Sequence, residues 1–146
     1  MKLSSRARYG VRLMLDLARQ YGQGSVYLRE IAVREDISEK YLSQIIIPLR
    51  GGGLVRSIRG AHGGYTLAKP PAEITLREIV EPLEGGNCLV DCVKHPSTCS
   101  RVPTCATRDI WTMLGEKISE ALDSVTLEQL VRIHHEKLGY DIAHNI

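Results

Sequence analysis

The stretch from Leu28 to Lys69 does most to constrain the fold. Two short segments with helical apolar spacing, residues 28–35 ("LREIAVRE") and 39–50, are separated only by the turn "DIS". They run into Gly51, Gly52 and Gly53 and then into two short β-favouring runs, "LVRSIRG" and "GGYTLAK". Leu28, Ile31 and Ala32 share one face of the first segment. Leu42, Ile45, Ile46 and Leu49 recur at spacings of three and four in the second, the signature of a half-buried helix. Ser38 can cap that helix by taking an orphan backbone N–H. Pro48 removes a donor and crowds the preceding turn, which predicts a kink or a looser last turn. The turn Gly60-Ala61-His62-Gly63 permits a tight reversal between the two runs, whose Leu54, Val55, Ile58, Tyr65 and Leu67 suit a hairpin. Helix, turn, helix and hairpin is the order of a winged helix–turn–helix, a DNA-binding fold.

The flanks agree with this reading. Residues 3–20 place Ala7, Gly10, Val11, Met14, Leu17 and Ala18 on one face, with Arg6, Arg8, Arg12 and Arg19 mainly away from it. Thr75 and Glu78 form a T-x-x-E capping box for a helix over 76–83, and residues 84–104 read as a loop. Residues 105–124 predict a long helix with Ile110, Trp111, Leu114, Ile118, Ala121, Leu122 and Val125 along one side. That seam is too long for its own small domain to cover, which predicts a homodimer. Thr126 and Gln129 offer a second capping box, starting a short helix through about His135. The expected fold class is mainly α with a small β-hairpin wing: a winged helix–turn–helix over residues 1–70, a connecting helix and cysteine-bearing loop over 71–104, and a long dimerisation helix with a C-terminal helix over 105–146.

A formal net charge of +2 conceals a division along the chain. Residues 1–70 carry twelve Lys/Arg against five Asp/Glu, and residues 71–146 carry seven against twelve. The basic half suits a polyanion and the acidic half faces away from it. No apolar run approaches a membrane span and the N-terminus lacks the apolar block of a secretory leader, so a cytoplasmic location without membrane partners is expected. An enzyme is disfavoured: "RGGGLV" and "RGAHGGY" lack the Lys-Ser/Thr or strand–helix context of phosphate loops. His134 and His135 have no evident nucleophile or acidic partner, and no small-molecule substrate is implied.

In a helix–turn–helix the early residues of the second helix reach base edges in the major groove. Here these are Ser38, Glu39, Lys40, Tyr41, Ser43 and Gln44. Gln44 can pair in two places with adenine, and the serines can donate or accept. Arg29, Lys40 and Arg50 suit phosphates, which set position without reading sequence. Arg59, beside the hairpin turn, can enter a narrow minor groove. The expected partner is a double-stranded DNA operator.

All four cysteines, Cys88, Cys92, Cys99 and Cys105, lie in "GGNCLVDCVKHPSTCSRVPTCATRD", which contains little that could form a core. Thiolates on a flexible loop suit a soft metal centre, and iron–sulfur clusters are held mainly by such ligands. Zinc is a rival, weakened by the lack of paired short Cys-x-x-Cys knuckles. A structural disulfide is disfavoured in a reducing cytosol.

"RARYGVRLMLDLA", "YLSQIIIPLRGGGLV" and especially "SIRGAHGGYTLAK" resemble a family of bacterial winged-helix regulators, the family that includes IscR, NsrR, RirA and CymR. The resemblance runs through nearly the whole chain. It implies a homodimer crossed through its long helices, a pseudo-palindromic operator, Tyr41, Gln44 and the neighbouring serines in the major groove, and Arg59 in the minor groove. Ser43 stands where IscR-like proteins often carry a glutamate. The three-cysteine pattern looks like that of the cluster-binding members, not of CymR-like members, and implies Cys92, Cys99 and Cys105 as thiolate ligands. Where IscR-like proteins often have a histidine three residues after the last cysteine, this chain has Arg108, which has no lone pair to offer. His95 is then the preferred fourth ligand and Cys88 the alternative. Some relatives take a carboxylate from the partner's first helix, where this chain offers Arg8 and Arg12, with Asp16 further along. The resemblance tilts the expected cofactor toward 2Fe–2S and the expected role toward control of iron–sulfur assembly genes, with a 4Fe–4S nitric-oxide or iron sensor and a cluster-free redox or partner-controlled regulator as alternatives.

Overall fold

The computed structural model describes residues 1–86 and 89–144, with side chains through residue 139. Seven helices and one hairpin follow in order: α1 (Ser5–Arg19), α2 (Leu28–Glu35), α3 (Glu39–Gly51), β1 (Val55–Ile58), β2 (Gly64–Leu67), α4 (Leu76–Glu84), α5 (Asp91–Lys94), α6 (Ala106–Asp123) and α7 (Leu127–His144). The architecture is the mainly helical, winged one that the sequence predicts. No helix among the described residues is long and apolar enough to cross a membrane.

The helix starts follow their capping residues. The Ser4 hydroxyl accepts from the Ala7 N–H at 3.0 Å, and the Ser38 hydroxyl accepts from the Tyr41 N–H at 3.3 Å. Both predicted capping boxes close. Thr75 and Glu78 exchange bonds of 2.9 and 3.3 Å, and Thr126 and Gln129 exchange bonds of 3.0 and 3.3 Å. These caps satisfy donors that the first turn of any helix leaves without partners. Pro48 does not end α3, which continues to Gly51. A proline in the last turn forfeits one backbone bond, and the buried Ile45, Ile46 and Leu49 anchor the helix against that loss.

One core serves the N-terminal helices, the wing and the start of α7. Leu13, Met14, Leu17, Ile31, Leu42, Ile45, Leu49, Ile74, Ile79 and Leu127 are all almost fully buried in it. Burying each such side chain stabilises the fold by about 1.5–3 kcal/mol before entropy is counted. Helix α1 lies at the centre, against α3, α4 and α7. Gly10 faces Leu83 of α4, whose side-chain end would have to shift to admit a Cβ there. The link between α6 and α7 is pinned below the core. The Leu76 N–H donates to Val125 O at 2.9 Å, and the Leu127 N–H donates to Ile74 O at 2.9 Å.

Two stretches differ from the sequence expectation. The final helix reaches His144, well past the short helix ending near His135. The region read as a loop over 84–104 contains α5 and two single 3₁₀ turns, Pro96–Thr98 and Val102–Thr104. Elements of three or four residues carry no measurable periodicity, so sequence spacing does not reveal them.

The wing pairs Val55 with Leu67 through Ile58 with Gly64, antiparallel. Val26, in the α1–α2 connection, adds a third pairing partner by exchanging backbone bonds of 2.9 and 2.8 Å with Tyr65. That pairing explains Gly64, which has φ +131° and whose missing Cβ would lie 2.6 Å from the Val26 carbonyl oxygen. Gly64→Ala therefore combines left-handed strain with a backbone clash, each about 1–3 kcal/mol. A fall in melting temperature of roughly 4–24 °C is expected in thermal unfolding. An unchanged melting temperature would show that Val26 does not hold the wing.

Candidate nucleic-acid interface and cysteine loop

Helix α3 presents two faces. Leu42, Ile45, Ile46 and Leu49 are buried, while Lys40, Ser43, Gln44, Ile47 and Arg50 form an exposed stripe at spacings of three and four. Glu39 is also exposed, at the first position after the cap. Ser38 is committed as the N-cap, which limits its hydroxyl for any further acceptor role. The Ser43 hydroxyl donates to the Lys40 carbonyl at 2.7 Å and keeps its lone pairs for a donor. Tyr41 differs from its neighbours: it is half-buried and meets Tyr9 edge-to-face, ring centroids 5.8 Å apart. The Arg8 and Arg12 guanidinium groups lie 5.8 and 5.6 Å from the Tyr9 ring, and Arg12 pairs with Glu35 at 3.1 Å. Tyr41 is thus braced by α1.

The wing tip is fixed from the α1–α2 connection. The Ser25 hydroxyl contacts the His62 carbonyl at 2.6 Å, and the Tyr27 hydroxyl donates to the Ala61 carbonyl at 2.9 Å. Arg59 is exposed directly after β1, at the edge of this held turn. Arg29 lies over the Tyr27 ring at 4.6 Å, a cation–π contact that restrains an exposed guanidinium beside the same turn.

The sequence reading missed Ile47. It is 58% exposed on the α3 stripe, outside the buried set of Leu42, Ile45, Ile46 and Leu49, and is not among the residues expected to reach the groove. The helical register alone separates Ile47 from Ile45 and Ile46.

Cys92 lies in α5, His95 ends α5 and precedes the first 3₁₀ turn, Cys99 follows that turn, and Cys105 is the N-cap of α6. All three thiols are free and partly exposed. Cys88 lies outside the described residues. The Thr107 hydroxyl, 3.2 Å from Cys105 Sγ, holds the thiol below its usual pKa, aided by the Arg108 N–H and the charge of Arg101. This favours the thiolate, the form that binds metal. Among the described residues, however, no three Cys, His, Asp or Glu side chains stand close enough together to hold a metal ion. The donor chemistry suits a soft metal centre, but Cys92, His95, Cys99 and Cys105 are not gathered in this conformation.

Two further observations bear on the ligands. Arg108 Nε donates to the Cys92 carbonyl at 3.2 Å, so the residue in the expected histidine position ties α5 to the first turn of α6. Asp16 is 1% exposed and holds Arg34 through bonds of 3.0 and 2.7 Å. Its carboxylate is occupied within its own protomer.

Residues 3–133 match the model of the family described as "Rrf2: Iron-dependent Transcriptional regulator". The chain belongs to the Rrf2 family. It is 41% identical over 130 residues to the transcriptional regulator CymR of Bacillus subtilis, covering 89% of each chain. The structure of that protein, the global cysteine regulator of B. subtilis, superposes with a TM-score of 0.75 at 39% identity, covering 91% of this chain and 98% of the other. The structure of T. potens IscR superposes with a TM-score of 0.76 at 39% identity, covering 94% and 90%. The chain is therefore a DNA-binding transcriptional regulator of the Rrf2 family and not an enzyme.

Proposed function

We propose that the chain is a cytoplasmic, homodimeric repressor whose grip on its operator is set by an iron–sulfur cluster, 2Fe–2S in type, and that it controls genes of iron–sulfur assembly. The observation that carries this reading is the set of three free thiols between α4 and α6, in a family described as iron-dependent. Cys92, Cys99 and Cys105 are the proposed thiolate ligands, with His95 as the fourth donor and Cys88 as the alternative. When bound, the cluster supplies a redox- and iron-sensitive crosslink. The chain's own residues supply the coupling. Arg108 joins the Cys92 backbone to α6, so ordering the cysteine loop is felt at the start of the helix that faces the second subunit.

The exposed apolar side chains of α6 support the dimer. Ile110, Trp111, Met113 and Leu114 are 38–48% exposed along it, while Leu122 packs on the protomer's own core. Pairing these faces would set two copies of α3 against successive major grooves, ~34 Å apart. In each, Gln44, Ser43 and Tyr41 read bases. Arg29, Lys40 and Arg50 contact phosphates, and Arg59 enters the minor groove.

A second reading has its own support. The 41% identity to CymR, and thiols that are not gathered, favour a cluster-free regulator in which the cysteines act as redox thiols.

The DNA-reading assignment is tested by letting the protein select a duplex from a random library and measuring binding by fluorescence anisotropy. Gln44→Ala should lose roughly tenfold in affinity for the selected duplex and much less for a scrambled one. Lys40→Ala should weaken both alike and flatten the salt dependence by about one counterion. Equal effects of the two variants would overturn the assignment.

A further inference from the structure

We infer that Ile47 is a specificity-determining residue that packs on the 5-methyl group of a thymine in the operator. The inference rests on the proposal above that α3 enters the major groove. Ile47 is 58% exposed and lies three residues after Gln44 and four after Ser43, on the polar stripe that ends at Arg50. Every other apolar side chain between Leu42 and Leu49, apart from the partly buried Pro48, is buried in the core, so the register of α3 turns this one isoleucine outward. A branched aliphatic group on a face otherwise suited to a polyanion gains by meeting an apolar group there. In the major groove that counterpart is the thymine methyl, which no other base carries. The stripe advances 1.5 Å per residue, so Ile47 lies about 4.5–6 Å beyond the Gln44 and Ser43 positions. The thymine it meets is therefore one to two base pairs from the base that Gln44 reads.

The test uses the full-length wild-type protein and the duplex it selects from a random library. Each thymine is replaced singly by uracil, which removes the methyl and keeps the pairing edge. Wild type should lose about fourfold in affinity at one thymine in each half-site, the value of one buried methyl group. Ile47→Ala should bind the parent duplex about fourfold more weakly and be indifferent to uracil at that thymine, with full sensitivity elsewhere. Ile47→Val should keep most of the discrimination. Because Ile47 is exposed, melting temperatures should match within about 2 °C. A wild-type protein indifferent to every thymine-to-uracil change overturns the inference, as does a penalty that persists unchanged in Ile47→Ala. The Gln44→Ala variant separates the two levels of the argument. If it alters base preference while Ile47→Ala does not, only the methyl contact fails. If neither alters it, the placement of α3 in the groove fails.

Discussion

The combined substitution Cys92→Ser, Cys99→Ser and Cys105→Ser should abolish iron incorporation while leaving fold and dimer intact. Each cysteine sits on the loop or at its edge, partly exposed, and none contributes to the core that joins α1, α3, α4 and α7. The triple variant should therefore melt within a few degrees of wild type and elute at the same size. Its affinity for the selected operator should differ from that of the iron-loaded protein by 5- to 150-fold, the usual range of coupling between two sites. The path for that coupling is short. Cys92 is tied through its carbonyl to Arg108, and Cys105 caps the same helix. Anisotropy titrations of both forms, under argon and at matched salt, read the difference. Equal affinity of the triple variant and the loaded wild type would remove the cysteines from control of DNA binding and favour the CymR-like reading.

Replacing Arg34 by methionine should destabilise the protein by about 2–4 kcal/mol, the largest stability effect expected of a single surface-reaching side chain. Asp16 is 1% exposed, and Arg34 supplies both of its side-chain hydrogen bonds. Without that fork the carboxylate is left charged and enclosed, a cost that exceeds the value of the pair itself. Arg34 is 36% exposed, which admits some water and places the effect below that of a fully enclosed pair. The hydrogen bonds that Arg34 donates to Asp16, ahead of the attraction of Asp16, Glu30 and Glu35, hold the guanidinium above its ordinary pKa. Denaturant unfolding at fixed protein concentration checks the loss. The double variant Asp16→Leu with Arg34→Met should recover most of it, because apolar replacements remove the buried charge altogether. A neutral single variant would show that water already reaches Asp16.

The helix–turn–helix and its wing were legible in the sequence because several local signals coincided there. Ser38 marks a start, the 42/45/46/49 stripe marks a buried face, and Gly60 to Gly63 mark a reversal. Two capping boxes fixed the starts of α4 and α7 for the same reason. The end of α7 was not legible, since Gly139 and the thinly spaced apolar residues after His135 give no stripe. The 42/45/46/49 stripe left Ile47 off the buried face, but an aliphatic side chain carries no polar signal that marks it as a groove residue. The ligand set was least legible of all. Donors on a loop have no period, and the resemblance points to a position that holds Arg108. The structure gives Arg108 a tethering bond and commits Asp16 to Arg34, which leaves His95 and Cys88 as the fourth donors to test.

The proposed switch depends on an iron–sulfur cluster in the cysteine loop. The most direct measurement is purification without oxygen, followed by a visible spectrum and assays of iron, sulfide and zinc per protomer. A red-brown protein with two irons and two sulfides is expected. Four irons would keep the cluster and change its type, moving the reading toward a nitric-oxide or iron sensor. A colourless protein, free of iron even after anaerobic reconstitution, would rule out the cluster and leave a DNA-binding dimer whose cysteines serve zinc or redox chemistry.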